Sequence, residues 1–322
     1  MEVHSGDEGI MISILIPVNN WDIVALVHTM KEGIKKVPDF GEIIIGDDGS
    51  APGYRDNYRK LEGDGVKLVV SEKNIGRAAI RNKMALEASG DYLLFIDADT
   101  MVPASVTGEI WLRKWLPYVG KYKVICGGVL YHNIPPGDPD VLLRWTYGKY
   151  REQRKASERN RKPHASFSSF NFIIEKEIIK KIRFNEEIRQ YGHEDTLLGY
   201  QLKKAGIEVF HIDNGLIHEG LESNREFLNK TKLGIENLSL LYDKVTDKKT
   251  FSESVRLLGL YKKLEFFRLT GILSRLFMQY RERMEIRLDS AKVSLWLFSF
   301  YKISLFCTYR AIHSRRNTLP VF

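Results

Sequence analysis

Short apolar runs that close on polar turns and alternate with helical stretches constrain this chain more than any other feature. Residues 10–18 (IMISILIPV), 42–46 (EIIIG), 66–71 (VKLVVS) and 91–96 (DYLLFI) are rich in β-branched residues and nearly continuously apolar. Such runs read as strands buried on both faces. Residues 21–36 place Ile23, Leu26, Val27, Met30 and Ile34 at helical spacing, and residues 78–89 are good helix formers with Gly90 expected at the C′ position. Strands alternating with helices imply a parallel, doubly wound α/β sheet with crossover helices.

The pattern continues with an expected helix over 105–118 and a strand over 123–131 (KVICGGVLY). Pro135 to Pro139 break the chain, and residues 142–162 read as a basic helical stretch. A short strand (170–174), helices (176–182 and 196–205), a strand (208–212) and an exit segment (216–218) follow. After about Thr231 strand signals stop and long amphipathic helices take over. In residues 293–309 twelve of seventeen positions are apolar, with Lys302 in the middle. A membrane-crossing helix needs about 18–20 nearly uncharged residues. This stretch is expected to pack on the main domain or to lie in a membrane interface.

At 322 residues the chain is long enough for two domains. Its 43% hydrophobic and 28% charged residues argue against a disordered chain. The 25 Gly and 10 Pro show no three-residue period, which excludes collagen. Two cysteines, Cys126 and Cys307, exclude a disulfide scaffold and fit a reducing compartment. Residues 1–9 are polar and carry three acids, with no basic start before an apolar run, so no signal peptide is expected. The expected location is the cytoplasm, with peripheral contact at the inner face of the cell membrane.

The net charge is +8, and sixteen Lys/Arg against seven Asp/Glu in residues 241–322 account for all of it. The first 240 residues come to −1. A basic region so confined suits an anionic surface. No nucleic-acid module is recognisable, so the expected surface is a membrane, and a homodimer or a lid on the main domain competes with it.

In an open α/β sheet ligands bind at the carboxyl ends of the strands. The residues there are Pro17-Val18-Asn19-Asn20, Asp47-Asp48-Gly49-Ser50, Lys73-Asn74-Ile75-Gly76-Arg77 and Asp97-Ala98-Asp99. Turn chemistry explains any one of these, but explains four at the same sheet edge poorly. Two carboxylates at Asp97 and Asp99, ending a buried strand, can both reach one hard divalent cation, Mg2+ or Mn2+. Asp47-Asp48-Gly49-Ser50 reads as a tight turn or as a carboxylate that accepts hydrogen bonds from a nucleobase or ribose. Arg77 and Arg81 share a helix face, where they hold phosphate oxygens or simply meet solvent.

These segments, ISILIPVNN, EIIIGDDGS, NIGRAAIRN and DYLLFIDAD, resemble the nucleotide-sugar-binding half of the inverting glycosyltransferases of family 2. Ser169-Phe170-Asn171-Phe172, the Phe184–Glu187 segment, Tyr191-Gly192-His193-Glu194-Asp195-Thr196 and His218 continue the match, which covers roughly residues 11–225. The Glu-Asp motif and its spacing to His218 resemble the bacterial chondroitin-polymerase and galactosyltransferase-like branch. Asn19 stands where an aromatic is common, and Asn185 where Asp is frequent.

The resemblance implies a GT-A fold, a Rossmann-like mixed sheet flanked by helices, with a C-terminal helical extension. It implies a polar tail at 1–10, a transferase domain at 11–235 and a basic amphipathic extension at 236–322. By resemblance Pro17, Val18 and Asn20 line the base pocket and Asp48 contacts the base. Asn74, Gly76, Arg77, Arg81, Asp97, Ala98 and Asp99 meet the rest of the donor. Asp99 and His218, with Asp97, would hold Mn2+ or Mg2+. Asp195 would be the general base, supported by Glu194, and Ser169, Asn171 and His193 would flank the acceptor. The implied activity moves a sugar from a nucleoside-diphosphate donor to a saccharide or lipid-linked saccharide. The basic stretch 149–162, with Trp145, Tyr147 and Tyr150 nearby, would flank the acceptor site or be a solvated helix. The competing class is a nucleotidyltransferase acting on a sugar phosphate, although Pro17-Val18-Asn19-Asn20 lacks that class's Gly-rich basic loop.

Overall fold

The structure, a computed structural model, describes residues 9–187 and 192–316. Most of the polar tail, and Tyr191 of the Glu-Asp motif, lie outside the described residues. Contacts divide the chain into two units, the first from residues 1–129, 155–186 and 201–219, the second from 130–154, 187–200 and 220–322.

The first unit is built on a seven-stranded sheet. Its strands are β1 (Ile12–Val18), β2 (Phe40–Asp48), β3 (Val66–Ser71), β4 (Tyr92–Ile96), β6 (Val124–Cys126), β8 (Asn171–Glu175) and β9 (Val209–His211), in the order β3-β2-β1-β4-β8-β6-β9. β5 (Thr100–Met101) and β10 (Leu216–His218) pair antiparallel beside it, and β7 (Val129–Leu130) follows β6. The sheet is mixed rather than purely parallel, because β8 runs antiparallel to both β4 and β6.

The continuous apolar runs are continuous because both strand faces are covered. Ile12, Ile14 and Ile16 join one core with Leu26, Val27 and Met30 of α1 (Val24–Ile34) and with Trp111 of α4 (Gly108–Arg113). On the other face Met84 and Ile80 of α3 (Arg77–Glu87) lie so close that a Cβ at Gly46 would stand 2.2 Å from the Met84 sulfur. Each fully buried aliphatic side chain of this kind contributes about 1.5–3 kcal/mol.

At the amino end of the sheet Glu42 is buried and joins three segments. Its Oε1 accepts from Ser13 Oγ (2.7 Å), Ser89 N (2.7 Å) and Ser89 Oγ (2.6 Å), and Lys67 Nζ lies 2.6 Å from Oε2. Burial pushes this carboxyl up, but the hydrogen bonds from Lys67, Ser89 and Ser13 outweigh burial and hold it at about 2. A folded-state value below the unfolded one stabilises the protein above the unfolded pKa, and the gain is lost as pH falls through the folded value. Glu42→Gln is expected to cost about 2–3 kcal/mol at pH 7, with the difference shrinking below pH ~4, as read by urea unfolding at several pH values.

Gly90 is not the helix cap its position suggests. The cap of α3 is Ala88 in an extended conformation, and a Cβ at Gly90 would stand 2.7 Å from Ser13 N. Close approach to β1 therefore requires the glycine. The run 123–131 is likewise two strands. A Cβ at Gly127 would meet Asn171 Nδ2 at 2.5 Å, so the chain bends there between β6 and β7.

The stretch 142–162 is three pieces, α5 (Leu142–Tyr147), a π-helical turn (Gly148–Glu152) and α6 (Ala156–Arg159). Arg159 is buried in the first unit, donating to the carbonyls of Cys126, Gly127 and Ile212 with His211 Nδ1 at 2.7 Å. Part of the basic stretch thus serves packing rather than solvent. A helix the sequence pattern does not announce, α2 (Pro52–Leu61), buries only Tyr58. The remaining elements are α7 (Lys176–Lys181) and α8 (Glu194–Lys204).

The second unit is helical. Its elements include α9 (Asn224–Lys244), α10 (Lys248–Ser254), α11 (Arg256–Phe266), α12 (Thr270–Leu288) and α13 (Leu295–Arg316). Ser223 and Glu226 form a capping box that starts α9. The apolar run 293–309 forms most of α13 and supplies Phe298, Tyr301, Phe306 and Cys307 to this unit's core. Its lone charge is accommodated: Lys302 Nζ donates to Tyr147 OH (3.0 Å) and sits 4.3 Å from that ring's centroid.

Candidate active site

Parallel pairing sets the carboxyl ends of β1, β2 and β3 side by side, with Val18 opposite Asp47 and Asp48 opposite Ser71. The loop after β2 is held by its own acids. Asp47, fully buried, accepts from Ser50 N (2.8 Å) and from Arg55 Nε of α2 (2.8 Å). Asp48 accepts from Ile75 N (2.7 Å) and Gly76 N (3.1 Å), which fixes the loop before α3. Burial pushes the Asp48 carboxyl up, the two N–H groups pull it down, and the Asp47 charge adds to the rise, so the net shift is upward. Gly49 has φ +73°, and a Cβ there would stand 2.4 Å from Asn74 N, so only glycine lets the two loops meet.

After β1, Asn19 Nδ2 donates to the Asp48 carbonyl (2.7 Å). Asn20 has φ 51°, donates through N to Ser50 Oγ (2.9 Å) and accepts from Ala51 N (2.7 Å). Asn20, Asn74 and Arg77 are exposed, whereas Val18 and Asp48 are buried. Arg77 and Arg81, four residues apart, differ sharply: Arg77 opens α3 in solvent and Arg81 is buried. Arg81 Nη2 donates to Asp97 Oδ1 (2.6 Å), and its guanidinium lies 5.4 Å from the Phe184 ring centroid.

Asp97, Ala98 and Asp99 leave β4 half-buried. Thr100 pairs with His218 across β5 and β10, and this register sets His218 Nε2 3.3 Å from Asp99 Oδ2. Glu219 N donates to the Asp99 carbonyl (2.8 Å). Two groups 119 positions apart in sequence thus stand side by side. Adjacent donors around an octahedral cation with bonds of about 2.1 Å lie roughly 3 Å apart. One carboxylate oxygen and one imidazole nitrogen at this spacing suit a first-row divalent ion such as Mn2+. Among the described residues no group of three or more His, Cys, Asp or Glu forms a complete metal cage.

Ser169 and Asn171 are buried at the start of β8, and Asn171 Nδ2 donates to the carbonyls of Gly128 (3.2 Å) and Asn214 (2.9 Å).

In the second unit Glu194 and Asp195 open α8, where the helix dipole favours carboxylates. They follow two residues of positive φ, Gly192 (96°) and His193 (72°). A β-carbon in this region is strained, and such strain is held at sites that need a fixed geometry. Gly192 is anchored from α9, where Asn237 Nδ2 donates to its carbonyl (2.7 Å). His193 Nδ1 lies 3.2 Å from Thr196 Oγ1. Burial pulls the His193 imidazole down to about 4, against the raising effect of Asp195, so it is neutral at pH 7. An unfolded chain would bind that proton near pH 6.5. The folded state therefore loses stability as pH falls from about 6.5 towards 4. His193→Asn, which tolerates positive φ, is expected to show a loss between pH 7 and 4.5 that is smaller by about 2–3 kcal/mol, by chemical denaturation.

A mixed sheet of this order with acids at the ends of β2 and β4 is a GT-A fold, the class of the nucleotide-sugar transferases. Residues 13–183 match the family described as Glycosyl transferase family 2. The match spans more than half of the chain, and the chain belongs to this family. No curated protein matches it. Among solved structures it is similar to the mannosyltransferase PcManGT from Pyrobaculum calidifontis in complex with GDP-Man and Mn2+ (TM-score 0.53, 10% identity, covering 96% of this chain and 88% of that chain). It is also similar to S. aureus TarS 1-349 in complex with UDP (TM-score 0.51, 16% identity, 97% and 93%). A third is mannosyl-3-phosphoglycerate synthase from Rubrobacter xylanophilus (TM-score 0.50, 14% identity, 73% and 75%). At these identities the likeness carries the fold alone.

Sequence reasoning gives no role to Arg55, whose helix has no apolar stripe, nor to Glu42. The doubled Asp47-Asp48 is the one signal that the second loop is internally braced.

Proposed function

We propose that this chain is a metal-dependent inverting glycosyltransferase. It moves a hexosyl or N-acetylhexosaminyl group from a nucleoside-diphosphate donor, a UDP-sugar first, to a hydroxyl of a saccharide or lipid-linked saccharide. The product belongs to a cell-surface polysaccharide or glycoconjugate, and the catalytic part is residues 11–235. The observation that carries this reading is the Asp99–His218 pair, at 3.3 Å, on the acid-lined sheet edge of a family 2 domain. Two neighbours support it by what they hold, GDP-Man with Mn2+ in one and UDP in the other.

Asp99 and His218 hold the cation, with Asp97 reaching it through water or turned towards the ribose. Asp97 already faces the Arg81 guanidinium, which makes Asp99 the better direct ligand. A bound Mn2+ or Mg2+ neutralises charge that develops on the departing diphosphate. Pro17, Val18 and Asn20 border the base, Asp48 sets the loop that meets it, and Asn74, Gly76 and Arg77 lie towards the phosphates. Asp195 takes the proton of the acceptor hydroxyl as it attacks the anomeric carbon, with Glu194 and His193 shaping the acceptor side. One base and no enzyme nucleophile give single displacement and inversion. The same reading puts the protein at the inner face of the cell membrane, where a lipid-linked acceptor is presented.

A screen of nucleotide sugars with Mn2+ tests the reading. Release of a nucleoside diphosphate supports sugar transfer, while release of pyrophosphate from a nucleoside triphosphate and a sugar phosphate supports the nucleotidyltransferase instead. The neighbours hold two different bases, so the base is the first thing the screen decides.

A further inference from the structure

Where α11 turns into α12 the second unit exposes two adjacent aromatic side chains. Phe266 is 81% exposed and Phe267 66% exposed, their rings edge to face at 5.2 Å. Arg268, between the two helices, has φ 57°. Leu269, Ile272 and Leu276 carry the exposed apolar surface on into α12, whose other side buries Phe277, Met284 and Leu288 in the unit's core. The outward face is thus an addition to a packed helix, not the edge of a loose one.

The charge around this corner is mainly positive. Residues 262–276 hold four Lys/Arg (Lys262, Lys263, Arg268 and Arg275) against the single acid Glu265, which accepts from Tyr261 OH (2.9 Å). Apolar side chains ringed by cations are the composition of a membrane-surface helix, because the acyl boundary takes the rings while anionic headgroups take the charges. A second copy fits less well: two-fold pairing would bring the same net-positive patch of both copies together. No helix among the described residues is long and apolar enough to cross a membrane, so contact is at the surface.

We propose that the α11–α12 corner docks on an anionic lipid bilayer, with Phe266 and Phe267 inserted at the headgroup–acyl boundary and Lys263, Arg268 and Arg275 on lipid phosphates. This rests on the peripheral-membrane part of the proposed function and is independent of the sugar chemistry. It moves the contact away from α13, the most apolar stretch of the sequence, which is used in packing.

The test is flotation of the full chain with vesicles of phosphatidylcholine, with and without about one-third phosphatidylglycerol. Three proteins are compared: wild type, Phe266→Ser with Phe267→Ser, and Lys263→Glu with Arg268→Glu and Arg275→Glu. Wild type is expected to bind the anionic vesicles about tenfold more tightly than the neutral ones, and both variants to lose at least about tenfold. Solution hydrolysis of a donor sugar and the thermal midpoint should be unchanged in the variants. No flotation of wild type, or wild-type flotation by either variant, overturns the proposal. A wild-type dimer in sedimentation that the Phe variant dissolves also overturns it and assigns the corner to a second copy. Flotation without any donor hydrolysis would instead sink the catalytic reading and leave the docking surface standing.

Discussion

Asp195→Asn is expected to lower kcat for sugar transfer by about 10²–10⁴-fold, the range that a general base supplies. Asparagine keeps the size and hydrogen-bonding shape of the side chain but cannot accept a proton at neutral pH. The position suits a base. It lies in the first turn of α8, two residues after His193 with its strained positive φ, so its carboxylate is both held in place and favoured as an anion. Donor affinity should stay within about twofold, because the proposed donor residues belong to other segments. Steady-state release of nucleoside diphosphate gives the first number and calorimetry with the diphosphate gives the second. Wild-type turnover in the Asn variant would remove Asp195 from the base role.

Asp99→Ala is expected to abolish the strengthening of nucleoside-diphosphate binding by Mn2+. The substitution leaves His218 Nε2 without the oxygen 3.3 Å away, and an imidazole alone makes a poor site. Partners outside the metal's own coordination sphere are already worth about 10–100-fold in affinity, so a direct ligand should cost on the order of a hundredfold or more. Chelator added to wild type should reproduce the weak binding of the variant, and chelator added to the variant should change nothing. Calorimetry with and without Mn2+ reads both arms. A variant that still gains as much from Mn2+ as wild type would place the ion elsewhere.

The fold is legible wherever burial leaves a local signature. β3 matches its apolar run residue for residue, and β1 and β4 do so to within two residues, because strands covered on both faces admit little else. Where tertiary approach decides, the sequence misleads. Gly127 breaks an apolar run that reads as one strand, because Asn171 leaves no room for a Cβ. The π-turn at Gly148–Glu152 interrupts a helical pattern for a similar reason, since a Cβ at Gly148 would stand 2.1 Å from the Tyr131 ring. Polar α2 is silent because it buries one side chain.

The candidate site is legible in a different way. Asp97, Asp99 and His218 are each commonplace alone, and only their order along the chain suggests that they belong together. No local rule foretells that Arg81 is buried while Arg77 is exposed, because the difference lies in which side of α3 meets the sheet. Hydropathy is also a poor guide to which apolar side chains stay exposed. The most apolar helix fills the core of the second unit, and the exposed aromatic pair belongs to an amphipathic stretch.

The most direct measurement is the anomeric configuration of the first product, followed by proton NMR from the earliest turnovers with a nucleotide sugar and Mn2+. A sugar transferred with its anomeric centre opposite to that of the donor, with one nucleoside diphosphate released per bond formed, is the result this account predicts. A product that keeps the donor's configuration would contradict it, since retention needs a second displacement for which Asp195 alone is no provision.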